Sequence, residues 1–199
     1  MRSRWLKAVV FALGLAPLGW MGWRAWNQDL TANPVEYLQH FTGNWALRLI
    51  VATLAVTPLR KLLRLPDLIR FRRMIGLFAF FYGCLHFVTY LWLDKDFEVR
   101  EMLRDVGKRP FIAAGFTALV LMLPLAVTST TGWIRRLGGK RWQRLHRLIY
   151  VSAIAGVVHY YWLVKSDVRL PLLYAGLAGL LLAYRVVVRS RRPARVAGR

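Results

Sequence analysis

Six apolar segments dominate this chain, at about 6–23, 45–60, 74–93, 111–128, 146–164 and 170–188. Each comes close to the ~20 residues that carry a helix across a bilayer. Inside hydrocarbon the backbone must satisfy its own hydrogen bonds, which a helix does. With 57% of its 199 residues apolar, the chain reads as an all-α membrane protein, a six-transmembrane-helix bundle. No long soluble domain, solenoid repeat or low-complexity stretch separates the segments, so residues 1–199 are expected to form one domain. The start, MRSRWLK before an apolar run, resembles a secretory signal. It lacks a small-residue cleavage site with a polar flank, and Trp20, Trp23 and Trp26 follow, so a retained first helix is expected.

The formal charge of +21 would suit a nucleic-acid binder, but its distribution argues otherwise. One set of flanks carries Arg2, Arg4, Lys7, Arg60, Lys61, Arg64, Arg70, Arg72 and Arg73. It continues with Arg135, Arg136, Lys140, Arg141, Arg144, Arg147, Arg185, Arg189, Arg191, Arg192, Arg195 and Arg199. Those twenty-one bases meet one acid, Asp67. The alternate flanks hold Arg24, Lys95, Arg100, Arg104, Lys108, Arg109, Lys165 and Arg169. They are balanced by Asp29, Glu36, Asp94, Asp96, Glu98, Glu101, Asp105 and Asp167, and Arg48 lies within the second segment. Lys and Arg stay on the cytoplasmic side of a membrane, so both termini are expected there. Nucleic acid is unnecessary to explain the charge, and the basic face suits anionic lipid headgroups.

Two segments on the opposite side are more than plain loops. Residues 31–43 mix apolar and polar positions and are expected along the interface. Residues 94–109 set Phe97, Val99, Met102, Leu103 and Val106 among balanced charges, the pattern of a short amphipathic helix. A solvated connector and a docking surface fit that stretch equally.

His86, His146 and His159 fall in the apolar segments. An imidazole in hydrocarbon is costly and usually faces the bundle interior for a function; it is also a ligand for haem iron. Segments three and five run in the same direction. His86 lies seven residues before Leu93, and His159 five before Val164. At ~1.5 Å per residue the two sit within a few Å of one depth, so they can ligate one haem from opposite faces. The bland alternative for each is a polar contact between helices.

His146 lies thirteen residues before His159, roughly 19–20 Å towards the basic side. The equivalent position before His86 is Arg73, which stays protonated and suits propionates or phosphates better than iron. On one straight helix, thirteen residues rotate ~220° beyond whole turns, so His146 and His159 share a face only if that helix tilts or kinks. For His146, ligation and a boundary contact are equally open. His40 has no matched partner and is expected at the surface. Cys84 is expected as a buried small hydrophobe.

Aromatics crowd the third and fifth segments, suited to a porphyrin wall or to an interface belt. Gly76, Gly83 and Gly156 leave room for a flat macrocycle or for a neighbouring helix. The stretch 132–147, GWIRRLGGKRWQRLHR, suits a flavin phosphate or, more simply, anchoring at headgroups. There is no G-x-G-x-x-G or P-loop, and C-x-x-C-H is absent, which excludes c-type attachment. No dehydrogenase domain is expected after the sixth segment, so electrons would come from a membrane quinol or a separate reductase. No substrate-reducing site is expected in the chain itself.

LRLIVATLAVTPLRKLLR, RRMIGLFAFFYGCLHFVTYL and LAVTSTTGWIRRLGGKRWQRLHRLIYVSAIAGVVHYYWLVK resemble the MsrQ (formerly YedZ) family over nearly the whole chain. These are haem-binding membrane subunits of a periplasmic methionine-sulfoxide reductase system, within the ferric-reductase-like transmembrane group. The resemblance implies a multi-pass protein of the bacterial inner membrane, haem b, FMN, quinol as donor, and electron delivery to MsrP. MsrP is a periplasmic molybdopterin-containing partner that repairs oxidised proteins. His86, His146 and His159 match the family's histidines, and Arg73 stands at the fourth position, where the wider group commonly has histidine. Two competing readings are a transporter whose histidines relay protons and a passive membrane anchor for a periplasmic enzyme.

Overall fold

The computed structural model describes residues 2–190, and within them the chain is helical with no strand. Arg191, Arg192, Arg195 and Arg199 of the basic C-terminal group lie outside the described residues. Eight helices follow in order: α1 (Arg2–Trp26), α2 (Pro34–Leu62), α3 (Ile69–Thr89), α4 (Val99–Lys108), α5 (Pro110–Val127), α6 (Thr131–Leu145), α7 (Leu148–Leu163) and α8 (Arg169–Ser190). Four stretches are long and apolar enough to cross a membrane: Arg4–Trp26, Pro66–Asp94, Pro110–Val127 and Arg169–Val188. The helix Leu148–Leu163 is apolar but shorter.

Local chemistry sets the boundaries. The Asn33 side chain accepts from Glu36 N and donates to its carboxylate, and Pro34 supplies a preset first turn, so α2 starts there. It then runs unbroken through Gly43 to Leu62. The stretch 31–43 is therefore not a separate interfacial segment: from Pro34 on it is the first third of α2. Pro110 opens α5 in the same way. Thr130 caps α6, accepting from Trp133 N at 3.3 Å. The 132–147 stretch is thus helical as far as Leu145. Gly138 breaks α6 with φ 70° and ψ 150°, a conformation that only glycine adopts without strain.

α2 packs chiefly along α3, and α5 along α7; α8 closes against α2 and α7. Leu54, Ala79, Tyr82, Ser152 and Ala153 are completely buried where these helices meet. The Ser152 hydroxyl donates to Ala118 O at 2.8 Å, a buried bond that pins α7 to α5. Arg185 of α8 donates to Leu54 O of α2 and to Leu181 O, with its guanidinium over Tyr150. The outward faces stay apolar, with Leu180 69% and Val186 68% exposed. In water such a surface would aggregate; against lipid tails it costs nothing.

The first helix docks on α3 through a glycine. The Tyr82 hydroxyl donates to Gly14 O at 2.9 Å, and a Cβ on Gly14 would stand 2.4 Å from the Phe78 ring. That ring is hemmed in by Phe11 and Phe81, so it cannot swing clear. Gly14→Val is expected to overpack this crossing by about 1–3 kcal/mol and lower the melting temperature in detergent by roughly 5 °C. Gly22→Val, with nothing within 4 Å of its Cβ position, should leave it within about 2 °C of the parent. Thermal unfolding of the two variants, followed by tryptophan fluorescence, checks the difference.

Candidate functional site

His86 on α3 and His159 on α7 meet across the bundle. Their ring centroids lie 6.0 Å apart and their planes cross at 68°. An imidazole nitrogen bonds a first-row metal at about 2 Å, so two rings sharing one metal stand with centroids roughly 6 Å apart. Both rings line a cavity of about 320 Å³, within the range of ligand sites, at the mixed-charge end of the molecule. Its walls are largely apolar, including Leu47, Ile50, Phe87, Phe116, Leu119 and Met122.

Each ring is held in the same manner. His86 Nδ1 lies 3.0 Å from Gln39 O, and His159 Nδ1 lies 2.6 Å from Phe111 O. A carbonyl only accepts, so each Nδ1 carries the proton and donates. That fixes the tautomer and leaves each Nε2 with a free lone pair. Four residues after each carbonyl, on the same helix face, stands a glycine. A Cβ on Gly43 would lie 3.1 Å from the His86 ring, and one on Gly115 only 2.7 Å from His159 Nδ1. Gln39/Gly43 of α2 and Phe111/Gly115 of α5 are thus matching cradles, each a carbonyl to orient the ring and a missing side chain to seat it.

His146 belongs elsewhere. It lies outside the apolar helix α7, at the residue that ends α6, with φ −68° and ψ 0° and its N–H bonded to Trp142 O. Segment five therefore starts later than 146, and no straight helix joins His146 to His159. The chain turns between them because α6 and α7 are separate helices. The imidazole stacks on Trp142 with centroids 3.9 Å apart. Thr128 Oγ1 spends its proton on Pro124 O, so it accepts from His146 Nε2–H at 3.2 Å. His146 would have to release Thr128 to present that nitrogen to a metal.

His146 and Arg73 both line a second, larger cavity of about 910 Å³ at the basic end. Arg60, Lys61, Arg72, Arg147 and Arg185 line it too, and among the described residues no carboxylate does. Thr57 Oγ1, also in its wall, is buried without a hydrogen-bond partner among the described residues. A buried hydroxyl is rarely left so. The cavity's chemistry suits a large ligand carrying anionic groups.

Other expected residues resolve plainly. His40 is exposed, 3.7 Å from Glu36, at the rim of the first cavity. Cys84 is half-buried. A Cβ on Gly76, Gly83 or Gly156 would meet Thr53, Leu119 or Leu47, so these glycines face neighbouring helices, although each also lines a cavity. The sequence reading missed Gly43 and Gly115. Their signal is the i, i+4 pairing with a carbonyl, which becomes visible only when the opposing helix is known.

The family described as "Ferric reductase like transmembrane component" matches residues 42–157. A protein-methionine-sulfoxide reductase heme-binding subunit MsrQ of Herminiimonas arsenicoxydans is 51% identical over 183 residues, covering 91% of this chain and 84% of that one. The like-named subunit of Xanthomonas campestris pv. campestris (strain 8004) is 52% identical, with 90% and 85% covered. That of Rhodospirillum rubrum is 50% identical, with 98% and 94% covered. No solved structure gives a significant match. With the four apolar helices long enough to span a bilayer, these matches make the chain a multi-pass membrane protein.

If haem binds between the rings, the cradles predict graded effects on its retention. Gly115→Ala should displace His159, break its bond to Phe111 O and cut the haem retained on purification by about tenfold or more, the usual cost of losing an outer-shell partner. Gly43→Ala, with the looser contact, should cost less, and Gly176→Ala, with nothing within 4 Å, should cost nothing. Haem content per protein in the three variants measures this ordering.

Proposed function

The chain belongs to the MsrQ family of ferric-reductase-like transmembrane proteins, and from that premise we propose that it is the haem-binding membrane subunit of a protein-methionine-sulfoxide reductase system. The observation that carries this reading is the meeting of His86 and His159 at 6.0 Å with both Nδ1 atoms already committed to carbonyls. In this reading the two Nε2 atoms would hold one haem b. Haem bound there would supply one-electron transfer.

The residues do the rest. Gln39 O and Phe111 O keep each imidazole neutral at Nε2 and aimed into the cavity. The apolar walls keep water away. At the basic end, His146 is proposed to hold a second haem, opposite Arg73, once it releases Thr128. The surrounding arginines would pair with propionates, or with the phosphate of FMN. Trp142, Gln143 and Arg147 from the 132–147 stretch line the same cavity, which supports placing FMN there.

The six helices α1, α2, α3, α5, α7 and α8 are proposed to cross the bacterial inner membrane as one domain, with both termini cytoplasmic. The charge asymmetry supports this orientation. The His86–His159 cavity then lies near the periplasm and the basic cavity near the cytoplasm. Electrons would enter from quinol or a flavin reductase and leave towards a periplasmic molybdopterin-containing partner, MsrP. The chain itself reduces no sulfoxide.

Purified protein should show a b-type reduced-minus-oxidised spectrum. His86→Ala and His159→Ala should each lose the greater part of it. Wild-type-like absorption in both variants would sink the ligand assignment. His146→Ala should lower the haem-to-protein ratio; an unchanged ratio would remove the second haem.

A further inference from the structure

Two residues of α4, Met102 and Val106, line the His86–His159 cavity, and a third, Asp105, bonds to the segments on either side of the helix. The end of α3 winds into a π turn, Tyr90–Asp94. The chain then reverses through Asp96 and Phe97, both left-handed with φ 45° and 61°. Two consecutive non-glycine residues in that region are strained, and strain of this kind persists only where surrounding contacts hold it. Here Phe97 N donates to Leu91 O and Glu98 N to Lys95 O, and the Phe97 ring stacks on Trp92. The reversal lays α4 over the cavity mouth and against α5. Met102, only 6% exposed, lines the cavity with Val106.

Asp105 ties the elements around that mouth together. Its carboxylate accepts from the Tyr90 hydroxyl at 3.0 Å and from the Lys95 ammonium at 2.9 Å, and it pairs with Arg109 Nε at 3.3 Å. Tyr90 ends α3, Lys95 lies in the reversal, and Arg109 precedes α5. The Asp105 and Lys95 side chains are only 14% and 13% exposed. The Lys95 ammonium, donating to it, holds the Asp105 carboxyl below its ordinary range, so it is charged at neutral pH. Ion pairs this sheltered are worth more than surface pairs, and losing one partner strands the others.

We propose that Asp105 is a positioning residue that clasps α4 over the His86–His159 cavity, keeping water from the group those histidines hold and thereby setting its reduction potential. The proposal rests on the reading that this group is haem. An apolar, dry pocket disfavours the extra positive charge of the oxidised iron, so opening the cover lowers the potential. Removing a negative charge has the opposite effect, because the reduced form then gains. The sign separates a clasp from a mere charge.

The test uses the full-length, haem-loaded protein in detergent, with Asp105→Asn, Tyr90→Phe and Met102→Ser. Amide hydrogen exchange across residues 99–108 and the haem midpoint potential are both read. The clasp predicts exchange faster by on the order of tenfold in Asp105→Asn, the effect of one lost charge-assisted hydrogen bond on a local opening equilibrium. It also predicts a lower potential in Asp105→Asn and in the charge-neutral Met102→Ser, with the low-spin spectrum kept, and a smaller exchange effect in Tyr90→Phe. Unchanged exchange in Asp105→Asn, or a raised potential there with Met102→Ser unmoved, would overturn it. Haem-free parent protein would defeat the haem reading alone, since the exchange measurement decides the clasp without it.

Discussion

Two hydrogen bonds from imidazole to backbone carbonyl organise this molecule. Gln39 O on α2 and Phe111 O on α5 already serve their own helices, and each has a second lone pair to offer. By taking the Nδ1 protons of His86 and His159 they decide which nitrogen each ring presents. They also tie α3 to α2 and α7 to α5, the two closest helix pairings in the fold. Gly43 and Gly115 follow from these bonds: a ring close enough to reach the carbonyl leaves no room for a Cβ one turn on. The cradle explains why an α2 glycine is tolerated in mid-helix, where it would otherwise weaken the helix by about 1 kcal/mol.

The two cavities differ in kind. The one between His86 and His159 is the smaller and largely apolar, with both Nδ1 atoms committed to carbonyls. The other is wide, ringed by bases, and holds a buried hydroxyl with no partner among the described residues. The first sets two imidazoles from different helices against apolar walls; the second gathers positive charge. His146 illustrates the difference, because its Nε2 is committed to Thr128 rather than left free.

Much of this was legible beforehand. Each of the six apolar runs coincides with a helix, four of them long and apolar enough to cross a membrane, because backbone satisfaction in lipid leaves few alternatives. The shared depth of His86 and His159 followed from helix rise alone. The amphipathic pattern at 94–109 announced α4. The failures came where composition says little about chain direction. Residues 31–43 looked interfacial because polar side chains dilute them, yet nothing in them stops a helix, so α2 extends through. His146 looked like the start of segment five because an apolar run follows from Leu148, whereas Gly138 and the turn at 146–147 are set by local backbone geometry. Gly43 and Gly115 carry meaning only through partners on other helices.

The central claim is that two imidazoles, crossed at 68°, share one iron through Nε2. Low-temperature electron paramagnetic resonance of the oxidised, purified protein tests it most directly. Crossed axial imidazoles on one ferric haem should give a strongly anisotropic low-spin signal. A high-spin ferric signal alone, or no haem signal, would contradict the account.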